Sequence, residues 1–597
     1  MRTTQAYTFC DGCNHIPKCG IVYELQDGVI THLRSRTDFG YPNNTLCAKG
    51  YAQLQEHYHP DRLLHPMRRS NSKGSPSQWE RISWDEAIDL IAERLLSVKE
   101  EYGADKVCFY TGDPKEMRPP LQRLAYAFGS PNFGTESSTC FTSIWMAGKL
   151  LFGAAVMGGP PGPETKTCFV WGTNPAYSRP TMMKGLLAAK ERGVRYVVVD
   201  PRISPTVQTL AAVHLPIRPG TDGALALGMM SMLIEDGLYD RGFVEQWTHG
   251  FGELKAYLEA FSVEKASEIT GLDPEEIRIA AREFSGGPAT LLISAAPIVH
   301  HLNGCQNARA VLSLFAITGN IGRKGGVRFP PRPVLAPDHV GDPAFCRRTD
   351  LLPRISHLRA DAEAFPVWAE LVPEIQMNHL PEYVAAGKIR AMAIFGGNAK
   401  MWPQPHEYQE ALRKLDFAFA VDYFERPWTH DFVDVLLPAA TCFERRASFA
   451  VFDHAVYLRQ PSPPRGEARE DWQIIADLGV ALGLGDDFFG GSLRSLLNAY
   501  LAPTGRTYDE IRAAPGSMVE IATHGPDREE GAQLGFNTFT GKIELASTLL
   551  ARHGLDALPV FREPADFIDQ TGDKDDRDTL VLMTGNRVPF FTHSKWR

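Results

Sequence analysis

Short apolar runs recur along the chain with helix-like segments between them, and this alternation restricts the fold more than any other feature. The runs lie at 167–172 (TCFVWG), 196–200 (YVVVD), 290–294 (TLLIS), 390–396 (RAMAIFG), 417–422 (FAFAVD) and 433–437 (VDVLL). Segments such as 181–192 and 222–236 carry helical periodicity. Strands alternating with helices build parallel sheets covered by helices, so an α/β fold with Rossmann-like sheets is expected. Such sheets bind ligands at the carboxyl ends of their strands. A chain of 597 residues exceeds what one hydrophobic core organises, so several domains are expected. Pro/Gly-rich breaks at 157–163 (MGGPPGP) and 328–343 mark boundaries. They predict an inserted α/β domain over 164–327 within a discontinuous α/β domain, 61–163 plus 328–575. Residues 1–60 form a small Cys-rich domain. At 579–585 (TLVLMTG) a fresh buried strand begins, so 576–597 reads as the start of a further domain that is incomplete here.

Local signals sharpen this outline. The segment 20–34 reads as a hairpin turning at Asp27-Gly28. Ser83 and Glu86 form a capping box ahead of a helix whose apolar face is Trp84, Ile88, Ile91, Leu95 and Val98, with Gly103 as its stop. The next strand is expected over 106–110. Hydrophobic residues make up 44% and charged residues 22%, the proportions of a globular protein rather than a disordered one. A net charge of −9 argues against a nucleic-acid partner. No stretch reaches the ~18 consecutive apolar residues of a membrane span, and the first residues, MRTTQAYTFC, resemble no export leader. A cytoplasmic location is the expectation.

Four of the ten cysteines fall within the first 47 residues. Cys10, Cys13, Cys19 and Cys47 form C-x2-C-x5-C-x27-C. Four thiolates can hold a [4Fe–4S] cluster or a zinc ion. A zinc ribbon usually presents two C-x2-C pairs, whereas this chain has one pair and two single cysteines, which favours the cluster. Lys49 follows Cys47 in C-x-K-G. It is either a solvated charge or a contact for an anionic cofactor.

With these motifs in order, the sequence resembles the molybdopterin oxidoreductases of the dimethyl-sulfoxide-reductase family. The resemblance runs along almost the whole chain. It implies an N-terminal [4Fe–4S] cluster on the four cysteines, molybdenum or tungsten, and two molybdopterin guanine dinucleotides. Family members more often space the second and third cysteines by x3, where this chain has x5. Lys49 takes the place of the lysine between cluster and pterin. GSPNFGTESSTC (129–140) matches the region that supplies the amino-acid ligand of the metal, and the matching residue is Cys140. A soft thiolate suits such a metal, although a lone cysteine is more commonly just a small buried hydrophobe.

The resemblance places one dinucleotide on WGTNPAYS (Trp171, Gly172, Asn174, Pro175), on VDPRIS (Asp200, Arg202) and on RPGTDGAL (Gly220, Thr221, Asp222). Small residues and turn formers let backbone amides approach a pyrophosphate, and Thr221 reads as a helix N-cap. The second dinucleotide falls on IFGGNAKMWP, at Gly397 and Asn398. FAVDYFERPWTHDFVDVLLPAATCFER (419–445) and MTGNRVPFFTHS (583–594) continue the match. The latter resembles the opening of the family's C-terminal β-barrel-like cap, which would leave the cap truncated here.

The loop AAPIVHHLNGCQN carries His300 and His301; relatives place substrate-facing residues in a comparable loop, where a histidine either moves a proton near neutral pH or simply hydrogen-bonds within the loop. Glu136 is a weaker candidate, since a charge in such a loop is more often solvated. The implied function is a catalytic subunit that passes electrons between a small substrate at the metal and an external Fe–S carrier through the cluster. The alternative is a non-redox hydratase or hydroxyl transferase of the acetylene-hydratase type. In those relatives an acid follows the second cluster cysteine. Asn14 stands there in this chain, and a neutral amide cannot act as that acid.

Overall fold

The computed structural model describes residues 3–13, 18–37, 45–112, 115–154, 158–328, 345, 350–447, 449–452, 455–521 and 536–563. Two compact units result. One is built on residues up to Thr139 together with 345–521, the other on Cys140 to 328 together with 536–563. The expected start of a cap domain at 576–597 lies outside the described residues.

The first unit begins with β1 (Thr3–Phe9), β2 (Gly20–Gln26) and β3 (Val29–Ser35), a three-stranded antiparallel sheet in that order. Asp27 (φ 50°) and Gly28 (φ 85°) turn β2 into β3. Both are left-handed, as a two-residue hairpin turn of the I′ type requires. Next come β4 (Met67–Arg69), β5 (Trp79–Arg81), β6 (Val107–Thr111) and β7 (Phe133–Thr135). The second unit contributes β8 (Thr167–Trp171), β9 (Arg195–Val199), β10 (Val213–Leu215), the short β11 (Thr248–His249) and β12 (Ala289–Ile293). The chain then returns to the first unit with β13 (Ala391–Phe395), β14 (Phe417–Asp422) and β15 (Val435–Pro438).

The first unit's large sheet runs β5-β4-β15-β14-β13-β6-β7, and its five strands from β15 to β7 are parallel. The second unit's main sheet runs β10-β9-β8-β12 and is parallel throughout. Helices fill the connections. The helix Trp84–Tyr102 starts on the Ser83/Glu86 capping box and ends at Gly103. Pro180–Glu191 and Asp222–Glu235 are the two helices expected over 181–192 and 222–236.

Alternate side chains along each strand enter different cores. Val107 and Phe109 pack with Ile88, Ile91 and Leu95, whereas Cys108 and Tyr110 pack with Ile375, Met377 and Leu380. In the second unit Phe169 and Val197 join one core, and Cys168, Val170 and Tyr196 join another. A strand buried on both faces needs apolar residues at every position. That is why these segments read as unbroken apolar runs rather than as alternation.

The segment behind β15 is fixed by a buried ion pair. Arg62 donates to both carboxylate oxygens of Glu444 at 3.1 and 3.0 Å, and to the carbonyls of His57 and Ala439. Glu444 also accepts from the Thr441 and Arg465 amides at 2.7 Å. Both charged side chains are fully buried. His57 lies against Thr441 Oγ1 at 2.9 Å, and burial pushes its imidazole down to about 4.

Two outcomes follow for denaturation experiments. Glu444→Gln strands the Arg62 charge and should cost about 3–5 kcal/mol; a loss under about 1 kcal/mol would contradict the pairing. His57 titrates lower folded than unfolded (~6.5), so its contribution is intact above the unfolded value and lost as pH falls towards 4. Relative to His57→Gln, the parent should lose up to about 3 kcal/mol between pH 7 and pH 4, and an unchanged difference across that window would refute the burial argument.

Candidate cofactor-binding site

In both parallel sheets the strand order reverses once. In the second unit the first three strands run from β8 outward to β10, and β12 adds on the other side of β8. In the first unit β7 lies on one side of β6, and β13, β14 and β15 follow on the other. Connections on the two sides of a reversal leave on opposite faces, which opens a crevice at the carboxyl ends of the two central strands. The crevices therefore fall at β8/β12 and at β6/β13. Each is lined by one of the loops singled out in the sequence.

At β8/β12 the strand ends on Trp171, and Gly172 (φ 59°) turns the chain away. A Cβ on Gly172 would meet Pro297 Cβ at 3.0 Å, so glycine lets the turn Ala296–Val299 lie against this loop. Trp171 Nε1–H donates to Asp222 Oδ1 at 2.8 Å. Burial pushes the Asp222 carboxyl up to about 6; the Trp171 donor and the nearby His301 act the other way. Asn307 donates to the Gly220 carbonyl at 3.4 Å, and its Oδ1 would lie 2.5 Å from a Cβ on Gly223. Asn307 thus shapes the start of the helix Asp222–Glu235, a role that no sequence pattern signalled.

Thr221 does not cap that helix with its side chain. Its hydroxyl donates to the Arg218 carbonyl at 2.6 Å and closes the preceding turn, which leaves the first helical amides without a side-chain cap. Asn174 precedes the short helix Pro175–Ser178, and its Oδ1 accepts from Thr206 Oγ1 at 2.6 Å. Its side chain therefore shapes the loop. Asp200 follows β9 and is buried; Oδ1 accepts from the Arg202 amide at 3.0 Å, and Arg202 Nε lies 3.6 Å away. His301 is half-buried, with Nε2 3.2 Å from the Pro297 carbonyl, and His300 is exposed. The fold thus gathers Trp171, Gly172, Gly220, Thr221, Asp222 and His301 at one sheet edge, with Asp200 on the adjoining strand.

Cys140 precedes the helix Thr142–Phe152 and packs, half-buried, against the second unit's core. In the first unit, Glu136 is half-buried and paired rather than left to solvent alone: its carboxylate accepts from Arg118 Nη2 at 3.0 and 2.9 Å. Arg118 is itself 3% exposed, so this pair ties the loop after β7 to the helix Arg118–Phe128.

At β6/β13 the backbones nearly touch. A Cβ on Gly112 would fall 1.8 Å from the Gly396 carbonyl oxygen. Gly396 (φ 68°), Gly397 and Asn398 carry the chain away from β13, and Asn398 Oδ1 accepts from the Lys400 amide at 3.1 Å. Thr429 Oγ1 accepts from the Ala399 amide at 2.9 Å. Asp422 ends β14, the neighbour of β13, as Asp200 follows β9, the neighbour of β8. It accepts from the Tyr423 amide at 2.6 Å and from Arg426 Nε at 2.8 Å. Gly112 and Asp422 were missed in the sequence. The signal for Asp422 was present, since FAVD repeats the pattern of VVVD.

Cys10 directly follows β1 and Cys19 directly precedes β2 of the small antiparallel sheet. The Cys10 amide donates to the Cys19 carbonyl at 2.8 Å, and the Gly12 amide donates to Cys10 Sγ at 3.3 Å. Burial pushes the Cys10 thiol up, and the neighbouring Cys19 and Cys13 push it further. A Cβ on Gly12 would lie 3.2 Å from the Lys49 carbonyl, so the turn between Cys10 and Cys13 rests on Lys49, which is buried. Cys47 sits two residues earlier, at the start of the turn Ala48–Tyr51. Among the described residues no three His, Cys, Asp or Glu side chains stand at metal-ligating distance. The donor set, four cysteine sulfurs of which Cys10 and Cys19 are buried and Cys13 and Cys47 half-buried, suits an iron–sulfur cluster in kind.

Residues 62–481 match the family model for molybdopterin oxidoreductase. The chain is 28% identical to acetylene hydratase of Syntrophotalea acetylenica, over 94% of this chain and 80% of that one. It is 28% identical to the assimilatory nitrate reductase catalytic subunit of Bacillus subtilis (81% and 70%). It is also 28% identical to formate dehydrogenase H of Escherichia coli (80% and 68%). Its fold is similar to the solved structure of acetylene hydratase from Pelobacter acetylenicus, with a TM-score of 0.80 at 25% identity, covering 94% of this chain and 80% of that one. The chain therefore belongs to the molybdopterin oxidoreductase family, as its ordered motifs imply.

Proposed function

We propose that this chain is the catalytic subunit of a molybdenum or tungsten enzyme that moves electrons between a small substrate and an external Fe–S carrier through a [4Fe–4S] cluster. One observation carries the reading: two parallel sheets each reverse at a crevice lined by a Gly-containing loop, and a separate small sheet has Cys10 and Cys19 at its strand ends. Two crevices suit two dinucleotides. The first would lie on Trp171, Gly172, Asn174, Pro175, Asp200, Arg202 and Gly220–Asp222, the second on Gly397 and Asn398. Helix amides after Thr221 would meet one phosphate, and the guanidinium of Arg202, beside Asp200, suits another. In this reading residues 1–60 are the cluster domain, 164–327 the inserted nucleotide-binding domain and 61–163 plus 328–575 the domain around it, with 140–154 and 536–563 of the latter packing in the second compact unit.

Cys10, Cys13, Cys19 and Cys47 hold the cluster, with buried Lys49 as the cation beside them. Cys140 is the protein ligand of the metal. When bound, the metal–pterin group supplies the two-electron change at the substrate. The chain's own part is to orient and to handle protons. His301 and the exposed His300 sit at the mouth of the first crevice. His301 lies near the buried Asp222 carboxyl, and a histidine side chain is suited to passing a proton near neutral pH. A cytoplasmic location is part of the proposal; no helix of the described residues is long and apolar enough to cross a membrane.

Hydratase chemistry is the competing reading, supported by the similarity to acetylene hydratase over nearly the whole chain. Its acid would have to come from elsewhere, since Asn14 stands at the expected place; Asn14 lies outside the described residues.

Three measurements test the proposal. Purified holoenzyme should contain molybdenum or tungsten and iron at about four per chain; iron without either heavy metal would refute the catalytic reading. Turnover should require an added electron donor or acceptor, and turnover with neither would favour the hydratase. Cys140→Ala should abolish turnover while the iron content and the cluster's visible absorbance persist. Full activity in that variant would remove Cys140 as the metal ligand.

A further inference from the structure

Beside the cysteine set, the first unit buries a knot of charges that the reaction does not require. Asp11 stands between Cys10 and Cys13. Its carboxylate accepts from Arg459 Nη2 at 2.9 Å, from Lys18 Nζ at 3.1 Å and from the Arg445 guanidinium. Glu116 pairs with Lys18 and lies 3.5 Å from Arg459 Nη2 and 3.8 Å from Arg445 Nη2. Asp471 lies 3.7 Å from Arg445 Nη1. These side chains are 0–11% exposed. Arg459 also reaches the end of β1, donating to Thr8 Oγ1 and the Phe9 carbonyl at 3.0 Å each, directly before Cys10. Its guanidinium carbon stands 4.9 Å from the centre of the Phe9 ring.

Among the described residues, three cations thus face three carboxylates. Stability alone does not account for such a knot, because well-packed apolar side chains commonly serve as well or better than buried ion pairs. A charge buried this close to an iron–sulfur cluster acts on the free energy of the electron placed there, since little water screens it. In the balanced set, loss of one member leaves a unit charge of the opposite sign beside the cysteine turn.

We infer that Arg459, Arg445 and Lys18, held on Asp11 and Glu116, set the reduction potential of the centre carried by Cys10, Cys13, Cys19 and Cys47. They are positioning residues that never touch substrate. The inference rests on the cluster reading proposed above. Removing a cation makes the buried set one unit more negative and disfavours the added electron; removing Asp11's charge does the reverse.

The test is a redox titration of the holoenzyme with dithionite and mediators at pH 8, read by electron paramagnetic resonance of the reduced cluster, with iron analysis alongside. Arg459→Gln should lower the one-electron reduction equilibrium about tenfold, ~59 mV. Asp11→Asn should raise it by a similar factor. The Asp11→Asn/Arg459→Gln double variant should return close to the parent, and Arg459→Lys, which keeps the charge, should stay there. If Arg459→Gln fails to fold, Lys18→Met, at a less buried position, should give the same downward shift. Normal iron content with both single variants within twofold of the parent, or shifted in the same direction, would overturn the inference and leave the cluster reading standing. Parent enzyme without iron would overturn the cluster reading itself.

Discussion

Everything in this structure depends on burying both faces of its parallel strands. A parallel sheet leaves no face to water, so every connection must pass through a helix and return to the same edge. The loops that carry chemistry are thereby collected at the carboxyl ends of the strands. Two such sheets, each with one reversal of order, give two crevices of similar construction. Trp171-Gly172 and Gly396-Gly397-Asn398 line them because a strand must turn there and a ligand must come close. At Gly112 the demand is extreme, since the opposing carbonyl occupies the space of a side chain.

The cysteine region obeys a different rule. Its sheet is too small to supply a substantial core, so its stability comes from what it is attached to. Thr8, Phe9 and Asp11 are held by Arg459 and Arg445, which belong to the far end of the same unit in sequence. Arg62 and Glu444 make a second such tie. Charged side chains thus serve here as long-range connectors between segments more than three hundred residues apart. This gives the cysteine turn a fixed geometry without requiring it to fold alone.

Local structure was largely legible in the sequence. The Asp27-Gly28 turn, the capping box at Ser83 and the main strands stand within a residue or two of where periodicity placed them, because each rests on neighbouring residues. Pairing was not legible: β6 lies between β13 and β7, and nothing in residues 107–111 names 391–395 as a partner. A side-chain hydroxyl was also misread, since several acceptors compete for it. Thr221 bonds backward to Arg218 instead of capping. Glu136 would be solvated on local grounds, and only the helix beside it brings Arg118 to its side. Family motifs found the loops, while the buried network around Asp11 is invisible to motifs because its members are scattered along the chain.

The pairing of β6 with β13 has a consequence for how the protein is made. Residue 107 emerges from the ribosome long before residue 391, and the second unit's main sheet, wholly between them in sequence, can close first. Until β13 arrives, β6 has only β7 beside it and presents an apolar, unpaired edge of the kind that promotes association between chains. The central seam of the first unit is therefore a late event in synthesis. Until β13 is made, anything that covers the β6 edge favours the native pairing over association between chains.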